Sequence, residues 1–266
     1  MKMYLYGFKM FFLDAFHYRF NVIINLFFGN VSTIITVLFW ILIYRSNRKI
    51  DINGFSLSQM ITYFIVCSIV RGMVFSNSGF IYARMIKEGN LNSELLKPYS
   101  LSLSIYFKNL ASCITGIFPQ LVLVVALAPL LHNISVLTFD LQNLLFALIF
   151  MAVSTISSHM VWSILGLMAF WLEEANAVMW SFAVLFNLIS GMFLPLDFFP
   201  GLLLSVIKWL PFSSWIYLPT NIYLGLVDFT EMVLLLVINC GWIFVLWRLY
   251  KIIWSIGIKK YSSIGG

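Results

Sequence analysis

Few side chains in this sequence are of a type and spacing that could do chemistry. The chain has three histidines (His17, His132, His159) and three cysteines (Cys67, Cys113, Cys240), none of them near another in sequence. Metal sites and disulfide frameworks need paired or regularly spaced ligands. Isolated cysteines and histidines inside apolar runs read instead as small buried groups making single polar contacts. Glu173 and Glu174 are adjacent and fall in a short turn, so they read as solvated helix-end charges rather than an acid–base pair. The sequence has no phosphate-binding G-x-x-x-x-G-K-[ST] loop, no H-E-x-x-H and no G-x-S-x-G. No catalytic, cofactor-binding or metal-ligating residue is therefore expected in the chain.

Two kinds of residue remain. Arg71 lies in "CSIVRGMVFSNSG", inside an apolar run, where an arginine costs roughly 2.5–3.5 kcal/mol on insertion scales. Ser68, Gly72, Ser78 and Gly79 share its helical side, so that side is expected to face protein or water. Arg71, Ser68 and Ser78 are the pathway candidates; an internal polar contact or a snorkelling arginine is the plainer reading. The stretch "IKEGNLNSELLKPYS" (86–100) has docking chemistry instead. Asn92 or Ser93 caps a short helix, Glu94 suits its first turn, Leu95 and Leu96 are its apolar positions, and Pro98 ends it. So short a helix is not stable alone in water and needs a surface to lie against, whether headgroups or another protein.

The elements that must position these residues are membrane helices. Of the 266 residues, 62% are hydrophobic and only 10% charged, and mean hydropathy is +0.97. A span needs roughly 20 mainly apolar residues. Six are expected, at about 21–43, 60–80, 106–131, 142–168, 177–194 and 229–249, with a cytoplasmic loop at 81–104. No polar segment is long enough for a soluble domain. Residues 1–20 place Lys2, Tyr6, Lys9, Asp14 and His17 on one helical side and most apolar residues on the other, which predicts an interfacial helix. No signal-peptide pattern is present. Asn53-Gly54 marks a turn in the loop at 44–59.

The net charge of +6 and pI near 9.2 do not indicate nucleic acid, because the basic residues flank the apolar segments. With both termini cytoplasmic, eleven Lys and Arg fall inside and four outside, and Arg71 lies within a span. That bias orients the chain with its termini inside, although Arg45, Arg48 and Lys49 dissent.

Residues 190–225, "SGMFLPLDFFPGLLLSVIKWLPFSSWIYLPTNIYLG", are apolar enough for the membrane but contain Pro195, Pro200, Pro211 and Pro219. Four prolines forbid one continuous helix. Two short helical pieces that enter the outer leaflet and return are expected over 195–220, packed against protein or lining a cavity. The predicted fold is thus an all-α integral membrane protein with six transmembrane helices, an N-terminal interfacial helix and broken re-entrant helices before the last span.

Three stretches resemble the permease subunits of ATP-binding-cassette transporters of the type-2 export class. "IKEGNLNSELLKPYS" is similar to that family's Gly–hydrophobic–Leu-Leu-(Lys/Arg)-Pro pattern, the 190–225 run to its Leu-Pro…Phe-Pro…Leu-Pro-Phe…Pro run, and "WSIGIKKYSSIGG" to its Tyr…Gly-Gly tail. Tyr99 departs from the small or aliphatic residue found after that proline. The resemblance implies a plasma-membrane permease domain that pairs with a second permease chain, identical or paralogous. Separate ATPase subunits would supply ATP and Mg. Lys87, Glu88, Gly89, Asn90, Leu91, Glu94, Leu95, Leu96, Lys97 and Pro98 would form the coupling helix, with the three leucines entering a groove on the ATPase. Leu194, Pro195, Phe199, Pro200, Pro211 and Phe212 would form the outer gate. Cargo would be amphipathic or lipophilic: a drug, a peptide or a lipid-like molecule. Two other classes remain open on sequence, a membrane immunity protein that binds a toxic peptide without pumping and an integral-membrane enzyme such as an acyltransferase.

Overall fold

The structure, a computed structural model, describes residues 7–13, 30–47, 51–127 and 140–261. Residues 7–13 are helical, and the Lys108 ammonium sits 4.9 Å from the centre of the Phe11 ring. The rest of the predicted interfacial helix, the start of the first span and the connector at 128–139 lie outside the described residues.

Helix α1 (Val31–Asn47) leads towards a two-residue hairpin, β1 (Asp51–Ile52) and β2 (Phe55–Ser56). The predicted Asn53-Gly54 turn is present, with φ of 49° and 81°, the pair of positive values that a tight two-residue hairpin turn requires. Ser56 and Gln59 form a reciprocal capping box that starts α2 (Leu57–Val74). After a break at 75–77 the chain continues as α3 (Ser78–Lys87), then the short α4 (Leu91–Leu95) and α5 (Leu101–Leu127). Next come α6 (Leu141–Leu167), whose Asp140 cap accepts from Gln142 N–H at 2.9 Å, and a 3-10 turn at Met168–Phe170. The chain ends in α7 (Ala175–Ile189), a 3-10 turn at Leu196–Phe198, α8 (Gly201–Trp209), α9 (Tyr217–Tyr223) and α10 (Phe229–Lys260).

Among the described residues, four stretches are long and apolar enough to cross a membrane: Leu57–Lys87, Leu101–Val125, Leu141–Phe170 and Phe229–Lys260. Val31–Ser46 and Ala175–Ile189 are apolar but shorter. The protein is therefore a helical, multi-pass membrane protein. Among the described residues these helices follow the order of the predicted spans, with several boundaries moved. The second span does not end at 80 but runs, broken, to Lys87, so the loop predicted at 81–104 contracts to 88–100. The third begins at Leu101, because Ser100 O accepts from Ser104 N–H at 3.0 Å and opens the helix early. The fifth ends at Ile189, because Gly191 takes a φ of +83°. The last runs on to Lys260.

Helix α6 is the hub, packing against α2, α3, α7, α9 and α10. Its closest approach is to α3. A Cβ on Gly79 would collide with the Trp162 carbonyl oxygen, and one on Gly166 with that of Gly79. Small residues let two backbones touch, which is how helices associate where lipid supplies no hydrophobic drive between them. A Cβ on Gly257 would enter the Phe170 ring, so that glycine fixes the end of α10 against the 3-10 turn. The main apolar core joins α1, α2, α6 and the 196–222 region, and includes Trp40 stacked on Phe64 and edge-on to Phe198.

Candidate functional site

The 86–100 segment is braced by its own charges. Lys87 pairs with Glu174 at 3.2 Å across to the 171–176 turn, both side chains largely exposed. Asn90 Nδ2 donates to Glu88 Oε2 at 2.9 Å, and Gly89 between them takes a φ of +75°. The helix begins at Asn90 rather than Asn92 or Ser93, and the Ser93 hydroxyl donates to Asn90 O at 2.7 Å. Glu94 accepts from Lys97 at 2.5 Å and from the Tyr99 hydroxyl at 3.1 Å. The Glu94 hydrogen bond holds the Lys97 ammonium above its ordinary pKa. Ion pairs this exposed contribute about 0.2–1 kcal/mol each, so they shape the segment more than they stabilise it.

The three leucines expected to point outward divide. Leu91 is fully buried with Tyr82, Ile86, Leu101, Ile105, Leu167, Phe170 and Tyr250. Leu95 is 45% exposed and Leu96 86% exposed. Leu91 is therefore the anchor of the segment, and Leu95 and Leu96, with exposed Lys97 and Pro98, are what it presents. Beside it, a cleft of about 600 Å³ opens between the end of α3, the 169–176 turn and Lys260–Tyr261.

Of the pathway candidates, Ser68 and Arg71 lie on α2 and Ser78 opens α3. Ser68 is buried and donates to Ile65 O at 2.7 Å. Ser78 is buried, shares a 2.8 Å hydrogen bond with Ser76 and donates to His159 O at 3.2 Å. Arg71 lies in the last turn of α2, next to the break, and has no acidic partner among the described residues. A cation at a helix C-terminus complements the end carbonyls, in keeping with the plainer of the two readings of Arg71.

The predicted short pieces before the last span are α8 and α9. The four prolines set their limits. Pro195 precedes the 3-10 turn, Pro200 is the cap of α8, Pro211 follows it, and Pro219 sits in the first turn of α9, where no N–H is required. Leu194, Phe199 and Phe212 are half-buried, Pro195 and Pro211 buried, and Pro200 exposed. Phe212 meets the Phe182 and Trp215 rings at 5.9 and 5.4 Å. Residues 213–222 are all buried, with α9 against α2 and α6.

A polar seam on α6 was not legible as such in the sequence. The Ser154 hydroxyl donates to Ser214 O at 2.6 Å, and Trp215 Nε1 donates to the Ser157 hydroxyl at 2.8 Å. Thr155 bonds Tyr106 at 3.1 Å, and His159 Nε2 bonds Ser102 at 3.3 Å. The run "STISSHMVWS" (154–163) is its signal, six hydroxyl or imidazole groups within an otherwise apolar span. All six are buried. His159 is thus one more helix-to-helix tie, as an isolated histidine predicted.

Among the described residues no three His, Cys, Asp or Glu side chains gather where they could hold a metal. The three cysteines are free thiols. Among the described residues the arrangement consists of apolar packing, side-chain ties between helices and the exposed Leu95 and Leu96. Comparison with curated proteins found no match. The family described as ABC-2 family transporter protein matches residues 31–265, from the start of α1 to the penultimate residue and including both the 86–100 segment and the broken helices. With nearly the whole chain matched, the protein belongs to the ABC-2 transporter family, as one of its membrane-spanning components.

Proposed function

We propose that the chain is the passive, membrane-spanning half of an ATP-driven exporter. Two permease chains form the pathway, and separate ATPase subunits carry ATP and Mg and grip the 86–100 segment from the cytoplasm. Both termini face the cytoplasm of the plasma membrane, and the N-terminal helix lies in the inner interface. The observation that carries this reading is the division of the leucines. Leu91 fastens the segment into the core while Leu95 and Leu96 stand out beside it. A turn that merely reversed the chain would have no reason to be braced by Glu94, Lys97 and Tyr99 while presenting two leucines. Force applied at Leu96 would pass through Leu91 to α3, α5 and α10, whose residues surround it.

On this reading, the region from Leu194 to Phe212 closes the outer end of the pathway. Cargo is amphipathic or lipophilic. ATP hydrolysis belongs to the partner. The test is co-purification. Leu96→Arg, and separately Leu95→Arg, abolish recovery of the ATPase with the tagged chain while membrane insertion is unchanged. Full recovery in both variants contradicts the proposal and favours a membrane protein that binds its target without pumping.

A further inference from the structure

The turn that ends α7 and the start of α9 meet in a buried polar knot. The Tyr63 hydroxyl donates to Gly191 O at 2.7 Å, and Tyr217 N–H donates to Ser190 O at 3.0 Å. The Tyr217 hydroxyl donates to Asp197 Oδ1 at 2.8 Å, and the Asn221 side chain, one turn on, faces the same hydroxyl. Gly191 lies at the centre, where a Cβ would come 2.7 Å from the Tyr63 hydroxyl and 3.0 Å from Tyr217 Cβ. On the residues that make these contacts three buried oxygens have no partner among the described residues: Ser190 Oγ, Asn221 Oδ1 and Oδ2 of the half-buried Asp197. Ser190 is 0% and Asn221 3% exposed.

A buried acceptor without a donor costs about as much as a lost hydrogen bond, and more when it carries charge. Here two acceptor-only oxygens and a hydroxyl sit on the two limbs that the knot joins. Two magnitudes narrow what would satisfy them. First, α7 has 15 residues, about 22 Å of helix, against roughly 30 Å of hydrocarbon. If α7 starts at the inner interface, its far end lies within the apolar layer, where bulk water does not compete. Second, the donor set is all oxygen, which suits a hard cation, and it holds one carboxylate where divalent sites use several. Glu231 also acts on Tyr217, but its own partner Lys208 lies 3.4 Å away and offsets it.

We propose that this knot binds one alkali-metal cation, held by the Asp197 carboxylate, the Asn221 amide oxygen and the Ser190 hydroxyl. Its charge balances Asp197, and it fastens the turn after α7 to α9, closing the broken segment upon itself. The site requires only this chain. It does not depend on motor recruitment, so this proposal and the co-purification test fail separately.

The test is thermal unfolding of the purified full chain in detergent at constant ionic strength, in NaCl, KCl or N-methylglucamine chloride. A species that binds only the folded state raises the midpoint in a saturable way. The midpoint is expected to rise by several degrees with Na+ or K+ and not with N-methylglucamine. Asp197→Asn keeps an oxygen for the Tyr217 hydroxyl but removes the charge, and loses the cation-dependent rise. Ser190→Ala weakens it, which serves should Asp197→Asn fail to fold. Glu231→Gln leaves it intact. Equal midpoints in the three salts, the result if a buried water alone satisfies the oxygens, overturn the proposal. So does a rise that persists undiminished in both Asp197→Asn and Ser190→Ala.

Discussion

The 86–100 segment and the 190–223 segment start from the same sequence device, a short helix interrupted by proline and flanked by apolar residues, and the fold treats them oppositely. The first buries one leucine and presents two. The second buries every residue from Ser213 to Ile222 and ties Trp215 and Ser214 to α6 by side-chain hydrogen bonds. A segment on one anchor can be moved by a partner without unpacking the bundle. One with many anchors moves only if its neighbours move. On the proposed function the first would serve as a handle and the second as a plug.

The sharpest way to break this contrast is to truncate an anchor in each region. Trp215→Ala is expected to lower stability by about 3–5 kcal/mol, as loss of a large aromatic from a packed interior does, and to leave Ser157 without its donor. Most of the loss should appear as a fall in thermal midpoint and in the folded fraction recovered in detergent. Leu91→Ala is expected to cost about 2–5 kcal/mol by the same measurement and also to weaken ATPase recovery, because the handle loses its root. Glu94→Gln sharpens the comparison at smaller amplitude. It weakens the Lys97 brace, costs no more than about 1 kcal/mol, and loosens the segment, read as faster amide exchange confined to 90–100. Leu96→Ala is the smallest effect on stability, within about 0.5 kcal/mol, while ATPase recovery still falls. A large stability loss at Leu96, or none at Trp215, would erase the distinction.

Particular residues explain how much of this was readable in advance. Proline is a backbone constraint, so Pro195, Pro200, Pro211 and Pro219 announced the broken helices before any packing was known. The same holds for Asn53-Gly54. The break at 75–77 carries no such residue. It is held by a side chain from another helix, Asn109 Oδ1 accepting from Asn77 N–H at 2.8 Å, and no local pattern records a tertiary bond. The length of α10 was hidden because Lys251 looks like the basic edge of a span. The helix passes it for 32 residues in all, about 48 Å, its last turns held where Gly257 meets Phe170. The inward turn of Leu91 was unreadable for a simpler reason. Five residues of helix are too few for periodicity to define a face. The α6 seam was visible only as composition, since its partners come from α3, α5 and the 213–215 turn.

The most direct measurement places a photo-crosslinking residue at position 96, and as a control at position 206 on α8, in the tagged chain in intact cells. The account predicts an adduct with a phosphate-loop ATPase from position 96 and none from position 206. An ATPase adduct at 206 but not at 96, or reaction of a cysteine at position 96 with a membrane-impermeant reagent added outside, would contradict it.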